Sequence, residues 1–460
     1  MRNTYFFIPA LFAALAACGG ESDSPQDTDN PNNNTDKPQV ARSELERAPA
    51  SSVSSDTVDA IVQADNAFAF DLFAKARASA KSSNTVMSPL SVSIALGMTW
   101  AGARNQTAEE MAKTLHFDKP GLDVHAGHNA LTQTLESRAA DALANAKEKA
   151  KLMGSSAPSE DNFRLHIVNS VWADGSYTWE RPFLDTLAVN YGAGVFLADF
   201  IHEYDAERER INTWVSNETQ NKINNLLPDG SLDENTRMVL VNAIHLRMPW
   251  ELPFEKDFTK PGDFTTADGS MVTAEFMSQD APFGYYEDAA AQVVSLPLVG
   301  RQLSLVVALP KDSLESYEAG LTAASWKAVW EARETKPVDL ALPKFSFTTD
   351  AIKLKEVFQQ LGMVQAFEAP MADFYGMCSQ PPNGERLYID EIMHKAMMAV
   401  DEKGVEAAAA TAVIMAGETS APPESIEMKV NKPFVVAIMD EPTGAVLFIG
   451  HIQNPLSEGM

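Results

Sequence analysis

Few residues of this chain are arranged to do chemistry. The two cysteines, Cys18 and Cys378, stand far apart. His125-Ala126-Gly127-His128 has the spacing of a metal pair, but with no cysteine or third histidine nearby it reads as a surface loop. Cys378 reads as a bystander, and no metal site is expected. The sequence holds no G-x-S-x-G elbow, no H-E-x-x-H, no S-x-x-K and no glycine-rich phosphate loop. Residues 138–151, RAADALANAKEKAK, carry several lysines, yet Asp141 and Glu148 interrupt them, so a solvated helix face is expected. One segment remains unusual. EKGVEAAAATAVIMAGETSAPP, residues 402–423, carries a single charge, Glu406, between Gly404 and Gly417. Its alanines favour helix. However, Gly404 precedes them, β-branched Thr411, Val413 and Ile414 follow, and Pro422-Pro423 closes the run. A buried alanine-rich helix is the alternative. As a strand, one face carries Val405, Ala407, Ala409, Thr411, Val413 and Met415, and the other carries Glu406, Ala408, Ala410, Ala412 and Ile414. The uncharged face can enter a sheet without burying an unpaired charge, which would cost several kcal/mol. A segment that can be exposed or can join a sheet is a switch element, and Val405 is its first side chain to enter.

Something must present that segment. The chain has 460 residues, 45% hydrophobic and 22% charged, enough for a large core. The net charge of −27 and pI of about 4.6 argue against nucleic acid or anionic lipid as partners. Residues 1–17 have one early Arg2 and then an apolar run, which reads as an export signal. Leu15-Ala16-Ala17-Cys18 resembles the bacterial lipobox, so Cys18 is the expected lipidation site, with the protein anchored at a bacterial outer membrane or surface, or secreted. Residues 18–56 are rich in Ser, Asp, Asn and Pro and read as a disordered tether. If Cys18 carries lipid, no disulfide within the chain is expected.

Ordered patterning starts near Thr57. Helical periodicity covers DAIVQADNAFAFDLFAKARA, the part of 84–103 after Ser88-Pro89, residues 107–115, 138–151 and 207–227, and AIKLKEVFQQLGM. Strand patterns cover 163–179, 238–250, 292–298, 302–310 and 338–347, and two strands joined at Pro442-Thr443-Gly444. Helices crowd the first half and strands the second, with no linker between them. The expectation is one α+β domain over 57–457.

Four motifs in order resemble one family. They are NTVMSPLSVSIALGMTWAGARNQTAEEM, LVNAIHLRMPWELPF, HKAMMAVDEKGVEAAAATA and NKPFVVAIMDEPTGAVLFIGHIQNP. Over about 60–455 the chain resembles the serpins. That resemblance implies three β-sheets, eight or nine helices, and an exposed reactive-centre loop over about 403–423. It also implies an inhibitor rather than an enzyme, without cofactors and monomeric. A serine protease, or a cysteine protease, would attack the loop and be trapped as an acyl-enzyme when the cleaved loop enters the central sheet. The alternative within the family is a non-inhibitory binding or storage protein.

The resemblance also assigns residues. Glu402, Gly404, Val405, Ala407, Ala409 and Thr411 are the hinge. Lys344, paired with Glu402, and Trp250 lie where insertion begins. Ser88, Ser91, Asn169, Asn242 and His394 form a buried polar cluster beneath the sheet's centre. Counting from Glu402 puts the scissile bond at Glu418-Thr419, which suits a glutamyl-specific protease. Met415 and Ala416 are runners-up, suiting elastase- or subtilisin-like enzymes.

Overall fold

The computed structural model describes residues 39–79, 84–406 and 424–457. In chain order these form β1 (Val40–Ala41), α1 (Ser55–Ser79), β2 (Thr85–Met87), α2 (Pro89–Trp100), α3 (Asn105–Thr114) and α4 (Val124–Met153). There follow β3 (Arg164–Asp174), α5 (Arg181–Tyr191), β4 (Val195–Ala198), α6 (Phe200–Glu218), β5 (Met238–Pro249), β6 (Lys260–Thr265), β7 (Met271–Glu287), β8 (Ala291–Pro297) and β9 (Leu303–Pro310). Next come α7 (Leu314–Ala319), α8 (Ala323–Glu331), β10 (Glu334–Pro343), β11 (Phe345–Thr348), β12 (Ile352–Lys353) and α9 (Lys355–Leu361). The last strands are β13 (Glu391–His394), β14 (Met397–Asp401), β15 (Gly404–Val405), β16 (Ile426–Lys429), β17 (Phe434–Asp440) and β18 (Val446–Ile452).

The central sheet runs β1-β4-β3-β5-β15-β14-β11, with β13 pairing the lower part of β5. The second network runs β16-β10-β7-β8-β9-β17-β18-β2, with β6 on β7. The second and third expected sheets are joined in this network because the 17-residue β7 runs through both. Helix α2 lies between the networks and is buried from Pro89 to Thr99. Its apolar composition suits burial on every side. Ser88 caps it by accepting from Ser91 N–H, and Pro89 opens its first turn. Strand β5 is a near-continuous apolar run and is buried everywhere except Arg247, as a strand covered on both faces should be.

Three local expectations change. The strand expected over 338–347 is two strands in different sheets, β10 and β11, parted at Lys344. The His125–His128 segment is no surface loop. It lies on α4, which begins at an Asp123 cap and ends at Gly154 with φ +65°, so the helix seen in 138–151 starts 14 residues earlier. His128 is fully buried with Nε2 3.2 Å from Asp65 Oδ1, and His125 Nδ1 meets the Tyr191 hydroxyl at 2.8 Å. Burial, with His128 nearby, pushes the His125 pKa down to about 4. Cys378 is a buried free thiol.

The third change is at the N-terminal side, where packing begins at Gln39 rather than Thr57. Val40 and Ala41 pair antiparallel with Phe196 and Val195 at the edge of the central sheet. Leu197 N–H donates to the Gln39 carbonyl, and Ala48 N–H to that of Val189, each at 2.8 Å. Ser43 Oγ donates to Asp185, and Arg47 Nε to Asn129. A Cβ at Gly194 would lie 2.5 Å from the Ala41 carbonyl oxygen, so glycine permits the close approach. The segment binds through backbone pairing and polar side chains. Such binding needs no apolar run, which is why composition read it as tether. Against a variant beginning at Gln39, one beginning at Pro49 should melt on the order of 2–6 °C lower, from the lost hydrogen bonds. Equal melting would mean residues 39–48 contribute nothing.

Candidate functional site

The site is an interruption in the central sheet. On one side β5 pairs with β3 along Met238–Arg247. On the other, β5 meets β13 in parallel from Val239 to Asn242, and β15 antiparallel at Met248 and Pro249. Among the described residues, Ala243–Arg247 have no ladder partner on that side. β5 and β14 thus stand one strand apart at the head, where β15 lies between them, and β5 meets β13 directly at Asn242 and His394, so the unpaired stretch narrows downwards.

β15 enters through a tight hairpin. Asp401 pairs with Gly404 and Val400 with Val405, so Glu402 and Lys403 make a two-residue turn. Asp401 Oδ1 accepts the Lys403 and Gly404 N–H groups. Gly404 and Val405 then pair with Pro249 and Met248 of β5. Val405 is 3% exposed and belongs to the main core. Val405 is thus already seated in the sheet of the intact chain.

The residues expected around the opening are together. Lys344 Nζ lies 2.9 Å from one Glu402 oxygen and donates to the other at 3.1 Å. Thr259 also donates to Glu402, at 2.9 Å. Burial raises the Glu402 pKa, but the bonds from Lys344 and Thr259 outweigh it and hold the carboxyl below its usual range. Trp250 is 2% exposed, and its indole Nε1–H donates to the Asp401 carbonyl at 2.8 Å. Its own N–H donates to Lys403, so it clasps the hairpin from both ends.

The five residues expected at the centre also converge, just below the gap. Ser88 N–H donates to His394 Nε2 at 3.0 Å, which places the imidazole proton on Nδ1. Nδ1–H then donates to Asn242 Oδ1 at 2.8 Å, and Ser91 Oγ donates to the same oxygen at 2.8 Å. Two donors on Oδ1 fix the Asn242 amide, so Nδ2 faces Asn169 and donates to its carbonyl oxygen at 2.5 Å. The cluster ties α2, β3, β5 and β13 together without a charge. Burial pushes the His394 pKa down to about 4.

Sequence reasoning missed one element. Glu406 was placed on the face opposite Val405, which holds, but as an unattached charge. Its side chain is 9% exposed, with one oxygen 2.6 Å from Lys222 Nζ and the other 3.1 Å from His245 Nε2. Burial raises its pKa, but His245 and Lys222 outweigh burial and hold it below the usual range. The only signal was that it is the single charge of its stretch. Ala407, Ala409, Thr411, Met415, Ala416, Glu418 and Thr419 lie outside the described residues, as does Cys18. Among the described residues no group of His, Cys, Asp and Glu is placed to hold a metal, and no helix is long and apolar enough to cross a membrane.

Comparison with known proteins agrees with this geometry. A family profile described as serpin (serine protease inhibitor) matches residues 63–455. The chain is 34% identical to human serpin B4 over 410 residues, 86% of this chain and all of that one. It is 32% identical to leukocyte elastase inhibitor A of Mus musculus, over 86% of this chain and all of the relative. The native-state crystal structure of the thermophilic serpin tengpin superposes with a TM-score of 0.75 at 28% identity, covering 90% of this chain and all of that one. The protein belongs to the serpin family of protease inhibitors.

The buried neutral His394 makes stability depend on pH. With a folded pKa of about 4 against 6.5 when unfolded, only the unfolded chain takes up the proton between those values. The contribution is therefore complete above pH 6.5 and is lost as pH falls through about 4, amounting to on the order of 3 kcal/mol. His125 acts with the same sign, so the His394→Gln variant should show a flatter, not flat, fall in Tm between pH 7 and 4.5. A profile as steep as the parent's would assign the slope to other groups.

Proposed function

We propose that the protein is an inhibitory serpin that traps a protease as a covalent acyl complex. The observation that carries this reading is the pairing of Gly404 and Val405 at the head of the stretch of β5, Ala243–Arg247, that has no ladder partner on that side among the described residues. In this reading a protease serine attacks the carbonyl of Glu418, the peptide bond to Thr419 breaks, and the nitrogen of Thr419 takes the leaving proton. The protease is left esterified to the new C-terminus at Glu418. The freed strand then continues from Val405 into the gap, with alanines beneath α6 and the uncharged face on the core, before water can hydrolyse the ester. The chain supplies no catalytic group. It supplies folding energy withheld until cleavage, which makes the intact state kinetically trapped. The target is a glutamyl-specific protease, or an elastase- or subtilisin-like one if the bond lies at Met415 or Ala416. A lipid at Cys18 would place the inhibitor at a bacterial surface.

Two measurements test the reading. A glutamyl endopeptidase should give an SDS-stable complex, with the peptide beginning at Thr419 identified by mass spectrometry, and Glu418→Ala should abolish it. A complex with elastase that survives that substitution would move the bond to Met415 or Ala416. Cleavage of the loop by a protease that is not trapped should raise Tm sharply, because a new strand fills the gap. Equal melting of cut and intact protein would refute the inhibitory reading and leave a binding or storage role.

A further inference from the structure

Glu406 is the last described residue of the hinge. Its N–H still donates to the Ala399 carbonyl at 2.8 Å, continuing the ladder of β15. Its φ, however, is +50°, a left-handed conformation that an ordinary L-residue adopts only at a cost. Something must hold the residue there. Its buried carboxylate bridges Lys222, in the segment leaving α6, and His245 on β5. Both contacts lie on the face of the sheet that α6 covers.

The same face carries a deficit of acceptors. The register of Gly404 on Pro249 and Val405 on Met248 places a strand continuing through Glu406 opposite Arg247, on the same side of the sheet. Arg247 Nε is buried without a hydrogen-bond partner among the described residues. Its cross-strand neighbour is Arg164, whose Nε is in the same condition. Two adjacent guanidinium groups with buried, unbonded N–H donors favour an arriving carboxylate. Glu406 therefore has two alternative sets of partners. In the present state it reaches forward along β5 to His245. Two residues further on, an extending strand would bring its own side chain against His245, where the Glu406 carboxylate now rests.

Building on the inhibitory reading, we propose that Glu406 is the positioning residue of the hinge. Lys222 and His245 hold it at two seated residues, and Arg247 receives it when the strand extends. The hold stops the intact loop from being drawn in. The transfer to Arg247 lets the cut loop run in before deacylation, so this carboxylate sets the partition between trapping and release.

The test uses the full chain. Lys222 is 38% exposed, and Lys222→Met removes one of the two holding contacts and leaves the receiver intact. Glu406→Ala removes the carboxylate that both the hold and the receiver act on, and Arg247→Met removes the receiver alone. Hydrogen exchange should show the Glu406 amide exchanging about five- to thirtyfold faster in Lys222→Met and Glu406→Ala, as one or two kcal/mol of restraint is lost, and unchanged in Arg247→Met. On warm incubation Lys222→Met should convert to a loop-inserted, heat-resistant form faster than the parent by a similar factor. Arg247→Met should instead consume more inhibitor molecules per protease inactivated. Exchange at Glu406 that is identical in all four proteins would overturn the hold, and an unchanged stoichiometry in Arg247→Met would overturn the receiver. If no protein gains heat resistance even after loop cleavage, the inhibitory reading fails, and the exchange rates still decide whether Glu406 is held.

Discussion

Five residues of β5, Ala243 to Arg247, lie beside β14 with no ladder between them among the described residues. Main-chain donors and acceptors in the middle of a sheet demand partners, and much of the surrounding structure answers to that demand. Below the gap, Ser88, Ser91, Asn169, Asn242 and His394 close it with side-chain hydrogen bonds. Above it, the Glu402–Lys403 hairpin closes it with two residues of ladder. In front, the segment leaving α6 reaches both banks: Lys222 meets Glu406, and Lys395 donates to the Asn224 carbonyl.

The two closures differ in chemistry, and the difference suits their places. The lower one is buried at Ser88, Ser91, Asn242 and His394, where a charge would be expensive, and it is neutral, with burial holding His394 unprotonated. The upper closure sits nearer solvent and uses ions, Lys344 with Glu402 and Lys222 with Glu406, whose lysines are each 38% exposed. Ion pairs at such sites are individually modest and can exchange partners. In the inhibitory reading, a neutral closure beneath an ionic one would let the top of the sheet part first while the centre still holds.

Much of this was legible in the sequence, for unequal reasons. The alternation of Val405 and Glu406 follows from strand geometry alone, and their opposite faces are observed. The convergence of the five central residues rests on motif resemblance, since Ser91 and Asn242 are 151 positions apart and no periodicity joins them. The partners of Glu406 were invisible for the same reason: His245 lies 161 positions away in a stretch whose only pattern is apolar. The strand break at Lys344 was missed although the alternation changes phase there, from Val338, Leu340 and Leu342 to Phe345 and Phe347. The segment before Thr57 was misread because it is held by backbone, and composition does not report backbone pairing.

In the inhibitory reading, that segment bears on why the gap would be filled from within. A sheet with unpaired strand edges can recruit any extended chain, including a loop from another copy. Val40 and Ala41 cover part of the outer edge of β4. The interior ladder of β5 is left open instead, behind α6 and its exit segment. Its head is already occupied by Gly404 and Val405, so a strand continuing the same chain starts in register. A foreign strand must first displace them, break the Lys222–Glu406 contact and find register without a turn to set it. In that reading the seated hinge would favour the protein's own loop by proximity, since a strand continuing from Val405 could keep the backbone pairing of Gly404 and Val405 with β5.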